Sequence, residues 1–496
     1  MLEFIISYFE GSVKMSFLRE QMSMPSQTNK PNIVYVMTDQ MRATAMGCAG
    51  VEQVRTPTLD HFASEGTRFT RAISNSPACC PARATLWTGM HTSEHHVVSN
   101  DIQLRTDVKS FAQSLNDIGY KCGYIGKWHL DNNDRGIYVP PGPRRQGFDD
   151  YWAAYNCNHL YFDGYYYVDD NPDPVWIDGY EPMAQTRLAV DYIHRKAGEE
   201  EPFFLVVSWG PPHDPYREVP QRYLDLYPEE SLQLKANVGD KVNRKHISGY
   251  YAHMTALDEC FADILEGIED AGIRENTIVV FTSDHGDMLY SQNEIHKSKP
   301  WIESINIPLI MRWPSRIADG RVTDGPISIV DMMPTLLSLC GADIPHTVQG
   351  KDLSAYVLGD ETAAQETVFI NQPIVPDIFT HYEWRGVVTR THTYASMRRK
   401  PWILYDDKRD PDQLRNLVDL PESEDQQASM ERLMQHWLEK LNDPFEDSDE
   451  VSAKYYKGSK NGIMPIFENE TVSVTKRLRR QTRKQLLDAA NPTNRT

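Results

Sequence analysis

Four apolar runs in this 496-residue chain each end in groups able to bind ions or move protons. Asp39 and Gln40 follow residues 33–37, and Lys127 and His129 follow 120–125. His213 and Asp214 follow 203–207, and Asp284, His285 and Asp287 follow 277–281. A single Asp after a strand is usually a cap or turn residue, and a single His is usually structural. Four such groups at four strand ends point to a shared site, because ligands of an open α/β sheet bind beyond the carboxyl ends of its strands. A fifth segment, 79–89 (Cys-Cys-Pro-Ala-Arg-Ala-Thr-Leu-Trp-Thr-Gly), reads as the start of a helix, with Pro81 in its first turn. That puts Cys79 at a helix N-terminus, where free N–H groups and the dipole favour an anion. A buried Cys-Cys pair is the plainer reading, and Arg83 in the same turn speaks against it.

The elements that position these groups are legible as alternating short apolar runs and helical patterns. They predict an α/β fold with a large, mainly parallel sheet sandwiched by helices. Strands are expected at 33–37, 120–125, 203–207, 277–281 and 307–311. A helix over 246–270 carries Ile247, Tyr250, Tyr251, Met254, Leu257, Phe261, Ile264, Leu265 and Ile268 as a core-facing stripe. After residue 360 the pattern changes to short strands at 385–389 and 402–405, a turn-rich stretch at 406–416 and a helix near 427–441, a smaller C-terminal α+β subdomain. The expected organisation is a disordered extension over 1–29, a catalytic domain over 30–360, the subdomain over 361–442 and an extension over 443–496. Lys476, Arg477, Arg479, Arg480, Arg483 and Lys484 form a basic cluster in that last segment, which could make a homo-oligomer by docking on a neighbouring subunit or form a solvated helix face.

Composition narrows the function classes. Apolar residues make up 40% and aromatic residues 10% of the chain, enough for a sizeable core. The 51 basic and 70 acidic residues leave a net charge of −19, which disfavours nucleic acid and anionic membranes as partners. Any anion must be caught by a local cationic pocket. No window reaches the 18 apolar residues of a membrane span, residues 4–9 are too short for a secretory signal, and seven scattered cysteines make no disulfide framework. A reducing, cytoplasmic location is the expectation.

The Cys79 segment resembles the sulfatase signature Cys-x-Pro-Ser/Ala-Arg followed by a Leu and a Thr-Gly. The resemblance extends along residues 30–442: 31–42 is similar to the opening metal-binding strand, 126–130 to the Gly-Lys-Trp-His motif, 212–215 to the Pro-His element and 282–287 to the second metal motif. Lys297 falls where that family places its sulfate-binding lysine, and Asn100 at a position near the substrate oxygens. What the resemblance implies is an alkaline-phosphatase-like fold and a formylglycine-dependent sulfatase, with Cys79, not Cys80, oxidised to 3-oxoalanine by a formylglycine-generating enzyme. It implies a sulfate monoester, aryl or carbohydrate, as substrate. It also implies one divalent ion held by Asp39, Asp284 and His285, with Gln40 as a further ligand; Ca²⁺ suits the carboxylates, and the imidazole leaves Mn²⁺ or Mg²⁺ open. Arg83 would hold the nucleophile, Lys127, Lys297 and His213 would neutralise the sulfuryl oxygens, His213 or Lys297 would protonate the leaving oxygen, and His129 would act as base.

The pairs Asp39-Gln40 and Asp284-His285 look more like the choline-sulfatase and phosphonate monoester hydrolase branch than like arylsulfatases that carry Asp-Asp and Asp-Asn. A phosphonate monoesterase or phosphodiesterase using the same groups is therefore the alternative activity, and a silent sulfoglycan-binding protein the alternative from another class. Trp152, Tyr155, Tyr161 and Tyr165, Tyr166 and Tyr167 lie in an insertion that could line a sugar subsite or pack internally.

Overall fold

The computed structural model describes residues 30–455, apart from 51, 132–134, 315, 375–382 and 399. The expected extension over 1–29 and the basic cluster at 476–484 lie outside the described residues.

Ten strands form the main sheet: β1 (Asn32–Asp39), β2 (Thr67–Phe69), β4 (Lys121–Lys127), β5 (Tyr151–Tyr155), β6 (Tyr165–Val168), β7 (Val175–Trp176), β8 (Phe203–Pro212), β9 (Thr277–Ser283), β11 (Leu309–Arg312) and β12 (Arg321–Thr323). Their order is β12-β2-β11-β9-β1-β8-β4-β5-β6-β7. The middle five, β9-β1-β8-β4-β5, are parallel, while β11 runs antiparallel to β9 and β6 antiparallel to β5. Every residue of β1 is buried, as a strand covered on both faces requires. Ile33, Tyr35 and Met37 enter one apolar cluster, and the intervening Val34 and Val36 enter the other.

On the first face lie α1 (Cys79–Thr88) and α4 (Ile329–Leu339), packed with Trp87 against Tyr35, Tyr124, Phe148 and Phe204. On the second lie α2 (Glu181–Lys196) and α3 (Arg244–Asp270). The stripe read from 246–270 is the buried face of α3, which Asn243 caps by accepting the Lys245 N–H.

One expected strand is divided. Pro308 interrupts 307–311, so that Asn306 and Ile307 form β10, which joins β3 (Ala72–Ile73) and β13 (Ile327–Ser328) in a separate three-stranded sheet. Proline has no N–H for the ladder, and the chain changes sheets there.

The C-terminal subdomain is an antiparallel sheet of β14 (Thr367–Gln372), β15 (Trp384–Thr389), β16 (His392–Met397) and β17 (Lys400–Asp406) with α5 (Glu424–Lys440) packed on it. Trp384 donates its indole N–H to the Ser298 carbonyl at 3.1 Å, tying the subdomain to the loop that carries Lys297. Packing continues past residue 442: Asp443 pairs with Arg385, Val451 meets Val98 and Ile374, and Tyr455 stacks on His96 at 4.7 Å. No helix among the described residues is long and apolar enough to cross a membrane, and all seven cysteines are free.

Candidate active site

Cys79 is the first residue of α1, after an extended Ala78, and every residue of that helix is buried. Its Sγ lies 3.1 Å from Lys297 Nζ, 3.3 Å from His285 Nε2, 3.8 Å from Asp39 Oδ1 and 3.9 Å from Lys127 Nζ. Burial and Asp39 oppose its ionisation, but Lys127, Lys297 and His285 overcome them and hold the thiol well below its ordinary pKa. Cys80 is the opposite case: burial pushes its thiol up, and its Sγ points away, to the His129 carbonyl at 2.8 Å. Position 79, not 80, faces the converging groups.

One turn along α1, Arg83 binds both acidic strand ends. It donates to Asp284 Oδ2 at 3.0 Å, Asp39 Oδ2 at 3.3 Å, the Lys127 carbonyl at 2.8 Å and Ser208 Oγ at 2.8 Å. Close approach of β4 to β8 makes this possible. Gly126 sits at φ 101°, and a Cβ there would lie 2.1 Å from the Ser208 carbonyl oxygen. Lys127 Nζ completes the group at 2.5 Å from Asp39 Oδ2. Against burial, Lys127, His213, Lys297 and Arg83 hold Asp39 well below the carboxylate range. Burial and the charge of Asp39 raise Asp284 instead.

Asp39, Asp284, His285 and Cys79 each offer a ligand atom within 4.8 Å of the others, all buried. His285 donates Nδ1–H to the Gly286 carbonyl at 3.0 Å, which leaves the Nε2 lone pair for an ion. Two carboxylates and one oriented imidazole fit a hard divalent cation. Gln40, with φ at 71°, is engaged elsewhere: Nε2 donates to Asp287 Oδ2 at 2.8 Å, and Oε1 accepts from Lys297 Nζ at 2.8 Å. Asp287, held also by Tyr216, thus supports the lysine through Gln40.

On the opposite side, His129 Nε2 lies 3.3 Å from Asp101 Oδ1, and Arg135 grips Asp101 at 3.0 Å with two nitrogens. Burial works against the imidazolium, but the sulfurs of Cys157 and Cys80 together with Asp101 hold His129 well above its ordinary value. His213 is the converse, held neutral by burial, Lys297 and His159. Its Nδ1–H donates to the Asp214 carbonyl at 2.8 Å, leaving Nε2 available. Asn100 accepts the Cys80 N–H at 3.0 Å, a helix-end cap one residue from the nucleophile position.

The structure therefore gathers Asp39, Gln40, Cys79, Arg83, Lys127, Asp284, His285 and Lys297 into one network, with His129, His213 and Asn100 around it. Asp287, marked at its strand end, supports it, and the structure also adds Ser208, Asp101, Arg135 and Tyr216, supporting residues that no spacing pattern marked. The aromatic insertion is divided between core and surface, with Tyr165 and Tyr166 partly exposed. Trp152, Tyr155 and Tyr161 are buried, Trp152 packing on Trp128 and under Arg145.

Residues 31–342 match the Sulfatase family, and 296–440 match the N-sulphoglucosamine sulphohydrolase C-terminal family. The chain belongs to the sulfatase family. This sulfatase is 38% identical over 458 residues to the ulvan-active sulfatase of Formosa agariphila, covering 90% of this chain and 89% of that one. It is 31% identical to the endo-4-O-sulfatase of Bacteroides thetaiotaomicron, with 84% and 94% of the two chains covered. Its fold matches that of yidJ from Bacteroides fragilis with a TM-score of 0.77 at 34% identity, over 85% of this chain and 98% of that one. The phosphonate monoester hydrolase of Agrobacterium radiobacter shares the fold, with a TM-score of 0.67 at 20% identity, over 84% and 96%. The enzyme is thus a sulfuric ester hydrolase with carbohydrate sulfatases among its relatives.

Proposed function

We propose that this enzyme cleaves sulfate monoesters carried by saccharides, with formylglycine at position 79 as nucleophile and a divalent ion, Ca²⁺, held by Asp39, Asp284 and His285. The observation that carries the reading is the setting of Cys79. Its sulfur occupies the point where two lysines, the imidazole of His285 and Asp39 converge, which is where the oxygens of a hydrated aldehyde would stand. In that hydrate one hydroxyl attacks sulfur as the alcohol leaves, and loss of the other hydroxyl's proton reforms the aldehyde and releases sulfate. The ion, when bound, supplies Lewis-acid polarisation of the attacking hydroxyl.

The chain's own residues do the rest. Lys127 and Lys297 set two ammonium groups against the sulfuryl oxygens in a buried site, where such charges act strongly. Arg83 fixes both ligand carboxylates. Burial and Lys297 favour the neutral form of His213 in the free site; a bound sulfate brings negative charge that favours its imidazolium, so His213 takes up a proton from solvent as substrate binds and gives it to the leaving oxygen. His129, the base that the resemblance implies, is held as an imidazolium beside the Asp101–Arg135 pair in the free site, so it takes the proton of the second step only after giving up its own. Two lysines and one arginine, offset by two aspartates, suit the single charge of a sulfate monoester better than the nearly double charge of a phosphate monoester.

The test uses protein co-expressed with a formylglycine-generating enzyme. Peptide mass spectrometry should show the aldehyde at position 79, and sulfate should be released from 4-nitrophenyl sulfate and from ulvan oligosaccharides, with loss of turnover on chelation. A matched phenylphosphonate ester preferred by more than about tenfold, or ~1.4 kcal/mol, would replace this reading with the phosphonate one.

A further inference from the structure

His159 belongs to none of the motifs described above, yet it stands against the catalytic imidazole. Its ring stacks on His213 with centroids 4.1 Å apart and planes 13° from parallel. The segment after β5 that carries it also carries Cys157, whose Sγ is 3.9 Å from His159 Nε2. The other ring nitrogen, Nδ1, is buried and has no hydrogen-bond partner among the described residues. An imidazole nitrogen left in this state costs free energy unless something polar meets it.

The location says what that partner would be. The metal-facing residues Asp39, Cys79, Lys127 and His285 are fully buried, so the sulfuryl group goes to the bottom of the site. His213 is buried, and the half-buried His159 stacks on it. Asp101, Arg135, Asp214 and His296 are likewise only partly buried around the same mouth. A group hydrogen-bonded to His213 therefore lies beside the His159 ring. The oxygen that His213 would protonate is the ester oxygen, so the atoms beside His159 are those of the alcohol and its neighbouring substituents.

Resting on the sulfate-ester reading above, we infer that His159 is a specificity-determining residue that hydrogen-bonds a hydroxyl of the sugar next to the scissile sulfate, so that the site selects saccharide sulfates over aryl sulfates. An aryl ester offers no such hydroxyl and leaves the imidazole unmet. A site built to hydrogen-bond a substrate hydroxyl discriminates strongly against an analogue lacking it, because its own polar group is then left unpaired.

The variant that separates recognition from packing is His159→Phe, which keeps an aromatic ring on His213 and removes both nitrogens. Initial rates are measured for fully modified wild type and variant on 4-nitrophenyl sulfate, ulvan oligosaccharides and N-acetylglucosamine 6-sulfate. The expected result is a ratio of saccharide to aryl kcat/KM reduced at least thirtyfold from that of wild type, about 2 kcal/mol of transition-state discrimination. Equal loss on both ester types would show that the ring only supports His213, and no loss on either would show that it touches no substrate; both overturn the inference. A wild type that cleaves the aryl ester and no saccharide in the set overturns it as well. A wild type that cleaves no sulfate ester at all overturns the sulfate-ester reading itself.

Discussion

Arg83→Met tests whether the guanidinium serves as the charge partner of the two ligand carboxylates. The substitution keeps an unbranched side chain and removes every donor. In the free site Asp284 would retain only the backbone N–H groups of Gln40 and His285 and the His285 ring at 3.6 Å, while Asp39 would keep Lys127. Removing one partner of a buried ion pair costs ~3–5 kcal/mol, and the freed Lys127 carbonyl and Ser208 hydroxyl add to it. The loss in the chelated protein, read by urea unfolding, should therefore reach about 3 kcal/mol, a large share of the ~5–15 kcal/mol that holds a typical domain together. Ca²⁺ should then stabilise the variant more than the wild type. In the wild type, a hundredfold excess over Kd contributes about 2.7 kcal/mol; in the variant the carboxylates no longer share their charge with Arg83, so the ion binds more tightly and contributes more. A loss below about 1 kcal/mol in the chelated variant, or the same stabilisation by Ca²⁺ in both proteins, would refute the charge-partner argument.

Cys79→Ala should abolish turnover, whereas Cys80→Ala, which loses only contacts to the His129 carbonyl and the Asp101 N–H, should retain kcat/KM within about tenfold. Glu181 is buried with Tyr155 as partner, and burial pushes its pKa from 4.5 to about 7. The folded state then holds a proton that the unfolded state releases, so stability should fall as pH rises from about 4.5 to 7, by about 3 kcal/mol in all; urea unfolding of Glu181→Gln should lack that slope, and a parallel pH profile would disprove it. Truncation after Asn442, which strips Arg385 of Asp443 and uncovers Val98, should lower the melting temperature measurably.

The sequence alone was enough to place the parallel sheet, the α3 stripe and the residues at the strand ends. A strand buried on both faces must be apolar throughout, and a helix must repeat its apolar residues every three or four positions, so local pattern and tertiary role coincide. The Cys-x-Pro-x-Arg spacing likewise placed Cys79 and Arg83 one turn apart on one helix. Which groups meet across the fold was beyond local pattern. Gln40 sits beside Asp39 in the chain, yet a left-handed backbone turns its amide to Asp287 and Lys297. Asp101, Arg135 and Ser208 look like ordinary loop or strand residues until the chain brings them to His129 and Arg83. Of the aromatic residues that could have formed a sugar platform, Trp152 and Tyr155 went into the core, because β5 lies between β4 and β6 in the sheet, while Tyr165 and Tyr166 stay partly exposed. His159 had no signal in the sequence at all: the role inferred for it depends on stacking against His213, 54 residues away in the segment after β8, and only the tertiary structure creates that contact.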